Sequence, residues 1–389
     1  MINVTRLLTG MAGTGDQWRY AISIGDKPHG VSEGKGPVVV WNATRACNLQ
    51  CKHCYADAST SQAPGELSTE EAMAFIEDLA NFKVPVLLFS GGEPLIRRDI
   101  YELAAFAASK GIRPVVSTNG TLITAKRAKR LQNAGVQYVG ISLDGLENRH
   151  DRFRGRQGAF NQAVAGIRSC LAIGQKAGLR FTISKHTYHD LDGVLELIEQ
   201  ENIPRACFYH LVYSGRGSKL QQEDVTREQS RSALERIIAK TLDLHGKGKR
   251  VELLTVDNHA DGVYLYYWMK QRDPEQADQL LELLRRNGGN RSGVAIACVD
   301  WHGRVYPDQF TRDVEVGSIR ERKFSEIWKE AAHPVIVGLR NRKPLLKGRC
   351  RHCRWLDVCN GNFRARASAG GDFWSPDPSC YLNDQEIGV

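Results

Sequence analysis

The sequence predicts an α/β fold, a partial (β/α)6 TIM-like barrel, and three observations carry that expectation. Six short runs of apolar and β-branched residues recur between residues 38 and 213. Each is nearly continuously apolar, the pattern of a strand buried on both faces. Amphipathic stretches of helical period separate them, and that alternation builds a parallel sheet covered by helices. Right-handed crossovers curl such a sheet. Six units are too few for an eight-unit barrel, so the barrel is expected to stay open.

The elements follow in order. Residues 1–36 read as an N-terminal extension with little core of its own, ending in HGVSEGKG. VVVW at 38–41 is the first strand. The segment STEEAMAFIEDLANF is the first helix, with Ser68 and Glu71 in a capping-box pattern at its start. VLLFS at 86–90 and PVVST at 114–118 are the next strands. The helices after them, DIYELAAFAASKG and AKRAKRLQNAG, stop at Gly111 and Gly135. YVGISL at 138–143, LRFTIS at 179–184 and CFYHLVY at 207–213 complete the set, so the barrel spans 37–215. Residues 216–290 look mainly helical and charged, a bridging region. Residues 291–389 are expected to form a smaller domain, opening with a hairpin pattern, VAIACVDWHGRVYPD.

The chain has 389 residues, 42% hydrophobic and 25% charged, with a mean hydropathy of −0.38, as an ordinary globular protein has. No apolar run is long enough to cross a bilayer. The opening MINVTRLLTG has no signal-peptide h-region, so a cytoplasmic location is expected and no membrane partner. The net charge of +9 reads on its own as simple solubility, and it also suits an acidic partner, a nucleic acid, a membrane surface or a small polycarboxylate. The basic clusters Lys126-Arg127-Lys129-Arg130 and Arg340-Arg342-Lys343 lack the interleaved aromatics of a nucleic-acid platform, so none is expected as partner.

Seven of the ten cysteines fall in two groups, which in a reducing compartment argues for metal rather than disulfides. Cys170, Cys207 and Cys298 are scattered and read as small buried hydrophobes. The first group, Cys47-Asn-Leu-Gln-Cys51-Lys-His-Cys54, follows the first strand. Iron–sulfur clusters normally take four thiolates, so three within eight residues leave one iron open. Zinc is the alternative, but a structural zinc wants four ligands. His53, wedged between Cys51 and Cys54, reaches poorly for a fourth.

CxxxCxxC with an aromatic position before the last cysteine resembles the hallmark of the radical S-adenosylmethionine superfamily, with His53 at that position. The resemblance implies a 4Fe–4S cluster whose open iron is chelated by the amino and carboxylate groups of S-adenosylmethionine. Reductive cleavage of the sulfonium then gives a 5′-deoxyadenosyl radical. Ser90-Gly91-Gly92-Glu93-Pro94 follows the second strand and resembles the family's motif for the methionine amino group. Glycines allow close backbone approach to a ligand, and a carboxylate accepts from an ammonium. Ser117, Asn119 and Gly120 after the third strand match positions of ribose or carboxylate contact. Ser142 and Asp144 end the fourth strand. Arg180 on the fifth resembles an arginine some relatives use for the methionine carboxylate.

The second group is Cys350-Arg-His-Cys353, then Cys359, then Cys380. By spacing alone, four thiolates suit zinc or a closed iron–sulfur cluster equally. The pattern resembles the SPASM/Twitch domains of radical enzymes. Phe363 and Asp308 stand where full SPASM domains carry further cysteines. The resemblance therefore implies a small C-terminal iron–sulfur (Twitch-like) domain with one auxiliary 4Fe–4S cluster, two clusters in all.

Across nearly the whole chain, segments such as FYHLVYSGRG and TVDNHADGVY resemble the tetrapyrrole-modifying branch of that family. The nearer resemblance is to the enzymes that remove acetate arms from 12,18-didecarboxysiroheme on the siroheme-dependent route to heme, giving Fe-coproporphyrin III. Relatives that remove propionate arms in heme d1 synthesis stand close, and a peptide-modifying maturase is a third reading. An external donor such as flavodoxin or ferredoxin is implied. Arginine is the preferred partner of carboxylates, which makes Arg19, Arg152, Arg154 and Arg216 substrate candidates. His259, in the polar stretch of Asn258 and Asp261 beside Tyr264, Tyr266 and Tyr267, is a candidate for the iron or a carboxylate. A non-enzymatic zinc scaffold would leave the strand-end residues unexplained.

Overall fold

A computed structural model describes residues 1–20, 36–330 and 332–389. The strands are β1 (Ile2–Asn3), β2 (Val38–Thr44), β3 (Val86–Gly91), β4 (Arg113–Thr118), β5 (Tyr138–Ser142) and β6 (Ala177–Ile183). They continue with β7 (Arg205–His210), β8 (Glu252–Val256), β9 (Ile296–Val299), β10 (Arg304–Tyr306) and β11 (Gly317–Ser318). All six expected strands form, β2 to β7, and each pairs in parallel with the next. The sheet order is linear, β1-β8-β7-β6-β5-β4-β3-β2-β9-β10-β11, so the barrel is partial.

The helix Thr69–Asn81 shows why these segments hold their places. Ser68 Oγ accepts from the Glu71 amide at 3.2 Å, and the Glu71 carboxylate accepts from the Ser68 amide at 2.8 Å. That satisfies two donors the first turn would otherwise leave bare. Its buried face, Ala72, Phe75, Ile76 and Leu79, meets the sheet, where the Phe75 ring stands edge-on to Trp41 at 5.8 Å.

The structure departs from expectation in three places. A seventh strand, β8, extends the parallel sheet beyond β7 inside the stretch expected to be mainly helical. The hairpin of β9 and β10 forms as expected, but β9 also pairs in parallel with β2. One sheet therefore runs across the boundary expected near residue 291. The start of the chain has core of its own: Ile2, Val4, Leu7 and Leu8 are buried, and β1 pairs with β8. Most of HGVSEGKG lies outside the described residues.

Parallel strands point their carboxyl ends to one rim, and ligands of parallel α/β folds gather there. The C-terminal segment docks against the same rim. The Arg366 guanidinium and the Asp377 carboxylate form a fully buried pair at 2.7 Å, and Arg366 also donates to the Leu211 and Asp257 carbonyls of the rim loops.

Candidate active site at the barrel rim

The loop after β2 carries Cys47, Cys51 and Cys54, none in a disulfide and all on the wall of one cavity. Three neighbours fix its backbone. On one side, the helix Glu147–Arg154 accepts from it: the Gln50 and Lys52 amides donate to the Arg154 and Phe153 carbonyls at 3.2 and 3.0 Å. On another, Arg216 donates to the Cys51 and Ala58 carbonyls at 2.9 and 2.8 Å. Gly215, at φ +55°, lies so close that an added Cβ would meet the Cys54 and Tyr55 carbonyls within 2.5 Å. The Tyr55 hydroxyl ties the loop to Asn42 and Ser90 at 3.0 and 2.8 Å.

The third neighbour is the turn Ser90-Gly91-Gly92-Glu93. The Gly92 and Glu93 amides donate to the Thr44 and Ala46 carbonyls at 2.8 Å each. A Cβ on Gly92 would stand 2.1 Å from the Ala46 carbonyl oxygen. Both glycines line the cavity, but what requires them is neighbouring backbone, the end of β2 for Gly91 and the start of the cysteine loop for Gly92. Glu93 is not in the cavity wall. Its buried carboxylate accepts from the Thr118 hydroxyl and the Leu95 and Asn119 amides at 2.7, 3.1 and 2.8 Å. It binds this turn to the one after β4 and so positions the site. Asn119 donates to Asn48 at 2.8 Å and lies 3.9 Å from Cys47 Sγ.

Inside the rim, Ser117, Ser142 and Arg180 line the cavity, as the strand ends predicted. Arg180 donates to Ser117 Oγ and stacks on the Tyr209 ring at 4.7 Å. The space is a cleft open to solvent, about 1070 Å³ with its mouth included. Asp257, Gln309 and Phe310 close its far side; none was legible in the sequence as a site residue. Asp257 follows a strand that sequence reasoning missed. It sits at φ +68°, and burial pushes its carboxyl up to about 6 against the opposing pull of Arg366 and Arg180.

The five substrate candidates do not come together. Arg19 pairs with Asp16 and with Glu252, the first residue of β8, at 2.5 and 3.1 Å, so it lies at the amino ends of the strands. Arg152 stands outside the cavity, in a shallow basic hollow with Lys52, Arg149, Phe153 and His186. Arg154 and Arg216 are in the cavity wall, but their donors hold the cysteine loop. His259 is buried behind the wall. Its amide donates to Asn362 at 2.8 Å, while Asn258 donates to the Ser379 carbonyl at 2.9 Å. The polar stretch thus welds the barrel to the C-terminal segment.

Cys350, Cys353, Cys359 and Cys380 surround a second, smaller cavity with Leu356, Leu382 and Ile387. A zinc ion with bonds of about 2.3 Å would draw four thiolates to roughly 3.8 Å from one another. Among the described residues no three His, Cys, Asp or Glu side chains lie close enough to share one ion. An iron–sulfur cube holds its thiolates wider apart. Asp308 accepts from the Phe310 and Thr311 amides at 2.8 and 2.9 Å, and Phe363 packs edge-on to Phe310. Both positions serve the fold. Cys170, Cys207 and Cys298 are buried, the last packed with Val40 and Tyr306.

Comparison with known proteins agrees with this geometry. Residues 41–198 match the radical SAM superfamily and residues 292–354 match an iron–sulfur cluster-binding domain, SPASM. The chain is 51% identical over its whole length to the Fe-coproporphyrin III synthase of Methanosarcina barkeri, covering 99% of that protein. It is 43% identical over 91% of its length to the pre-heme d1 synthase of Dinoroseobacter shibae, covering 88% of it. Among solved structures, Streptococcus suis SuiB bound to S-adenosylmethionine shares the fold, with a TM-score of 0.71 at 15% identity over 90% of this chain and 78% of that one. Three cysteines on a cavity wall, four around a second cavity and these full-length likenesses agree: the chain belongs to the radical SAM superfamily, a radical enzyme with S-adenosylmethionine and two 4Fe–4S clusters as its cofactors.

Proposed function

We propose that the enzyme removes acetate side chains from 12,18-didecarboxysiroheme, giving Fe-coproporphyrin III on the siroheme-dependent route to heme. The observation that carries this reading is the 51% identity, end to end, with a Fe-coproporphyrin III synthase. The chemistry supplied by the bound cofactors is one-electron reduction of a sulfonium and hydrogen-atom abstraction. Cys47, Cys51 and Cys54 hold the first cluster; Cys350, Cys353, Cys359 and Cys380 hold the second.

The chain's own residues bind and orient. Arg180, fixed by Ser117 and Tyr209, offers a cation to a carboxylate of cofactor or substrate. The Gly91-Gly92 backbone and Ser142 supply neutral polar contacts in the same wall. Phe310 and Tyr209 offer flat apolar surface to a macrocycle. Among the described residues no helix is long and apolar enough to cross a membrane. The reading places the enzyme in the cytoplasm, reduced by a protein such as flavodoxin or ferredoxin.

The test is anaerobic turnover of 12,18-didecarboxysiroheme with S-adenosylmethionine and a strong reductant, followed by mass spectrometry. Loss of two acetate arms supports the proposal. Loss of propionate arms moves the enzyme to the heme d1 reaction, which the weaker 43% likeness also allows. An unchanged tetrapyrrole beside newly formed 5′-deoxyadenosine rejects the substrate and leaves the radical chemistry standing.

A further inference from the structure

A charged network braces the cysteine loop, with Arg154 and His53 at the cavity wall. Arg154, at the end of the helix Glu147–Arg154, is buried. Its Nη1 donates to Cys51 Sγ at 3.5 Å, and its Nη2 pairs with Asp144 Oδ2 at 2.5 Å. Asp144 is fully buried after β5. Its Oδ1 accepts from the Thr182 amide at 2.7 Å, and its Oδ2 lies 3.2 Å from His53 Nε2. His53 in turn stacks on Phe153 at 4.5 Å, one residue before Arg154. Three separate segments therefore fix one guanidinium against one cysteine sulfur.

Burying an arginine and an aspartate costs several kcal/mol per ion before pairing returns any of it. An apolar pair of the same volume would hold the loop as firmly, since the amides of Gln50 and Lys52 already anchor it to this helix. What an apolar pair would not supply is a positive charge and an N–H aimed at sulfur. Hydrogen bonds to the thiolates and local net charge are the protein's levers on the potential of an iron–sulfur cluster.

We propose that Arg154 is a potential-setting residue: its guanidinium, held by Asp144, makes the cluster of Cys47, Cys51 and Cys54 easier to reduce. The positive charge stabilises the more negative, reduced state, and Asp144 both aims that charge and partly offsets it. Arg154 is thus a positioning and tuning residue, not a substrate contact. The inference rests on the family assignment alone and holds whichever side chain the enzyme removes.

The experiment is an EPR-monitored redox titration of the anaerobically reconstituted full chain. It follows the cluster signal that changes on adding S-adenosylmethionine, in protein of measured iron content. Arg154→Gln is expected to move the midpoint to more negative potential, and Arg154→Lys less far in the same direction because it keeps the charge. Asp144→Asn is expected to move it the opposite way, by leaving the guanidinium uncompensated. General loosening of the loop would shift all three variants alike. If Arg154→Gln loses the cluster, the lysine and asparagine variants decide by the sign of their shifts. An unmoved midpoint, or shifts of one sign in Arg154→Lys and Asp144→Asn, overturns the proposal.

Discussion

At the scale of single residues, the site depends on a few positions with no tolerance. Gly92 is the clearest, because a methyl group there would overlap the Ala46 carbonyl oxygen. Gly92→Ala is expected to push the cysteine loop away and lose the iron of one cluster while the other stays, read by iron and sulfide analysis after reconstitution. Asp257 gives a pH signature. Its carboxyl is raised from 3.8 to about 6 by burial, so the charged form is disfavoured in the fold. The stability this group contributes is present below pH 4 and is lost as pH rises through 6. Asp257→Asn should therefore match the unaltered protein in acid and exceed it by up to about 3 kcal/mol at pH 8, read by urea unfolding at both pH values. At this scale the sequence spoke unevenly. The seven clustered cysteines were legible because their spacing is chemical in itself. Glu93 was legible as important but not in role, since only the fold shows three donors converging on its carboxylate. The arginines were ambiguous: an arginine is equally suited to a substrate carboxylate, a backbone carbonyl or a thiolate, and only the fold separates Arg19, at the amino ends of the strands, from Arg154 and Arg216 in the cavity wall.

At the scale of elements, local signals placed the barrel well. The capping box at Ser68 and the helix-ending glycines Gly111 and Gly135, both at positive φ, fall where the pattern put them. Ser68→Ala should cost about 1 kcal/mol, seen as a lower urea midpoint, with iron content unchanged because its hydroxyl bonds the Glu71 amide and not the cysteine loop. The strand β8 escaped notice for a physical reason. ELLTV is five residues long and follows the charged, glycine-broken run HGKGKR, so neither length nor periodicity marks it. Its neighbours Asp257 and Asn258 were consequently read as part of a helical region, although they close the cavity and anchor the C-terminal segment. The sixth expected strand ends at His210, three residues early. Leu211 and Val212 so become cavity wall.

For the whole molecule, the open sheet explains why barrel and cluster segment act together. The open barrel does not close on itself: β1 covers the edge of β8, and the rim beside β7 and β8 is finished by residues from the far end of the sequence. No local pattern in either segment announces that meeting, because its contacts join residues more than a hundred positions apart, as Arg366 with Leu211 and Asp257 and Asn362 with Asn258 do. The buried Arg366–Asp377 pair is its centre. Removing one partner strands a buried charge, so Arg366→Ala is expected to destabilise the protein by about 3–5 kcal/mol, measured as a loss of thermal stability. The central claim is that one framework holds two cluster sites, one open in the cavity wall and one closed in the C-terminal segment. Its most direct test is EPR of the dithionite-reduced protein, unaltered and as Cys380→Ala, before and after S-adenosylmethionine. The account predicts two signals in the unaltered protein, of which Cys380→Ala keeps only the one that responds to S-adenosylmethionine. A single signal that survives Cys380→Ala unchanged, or no iron–sulfur signal at all, would contradict it.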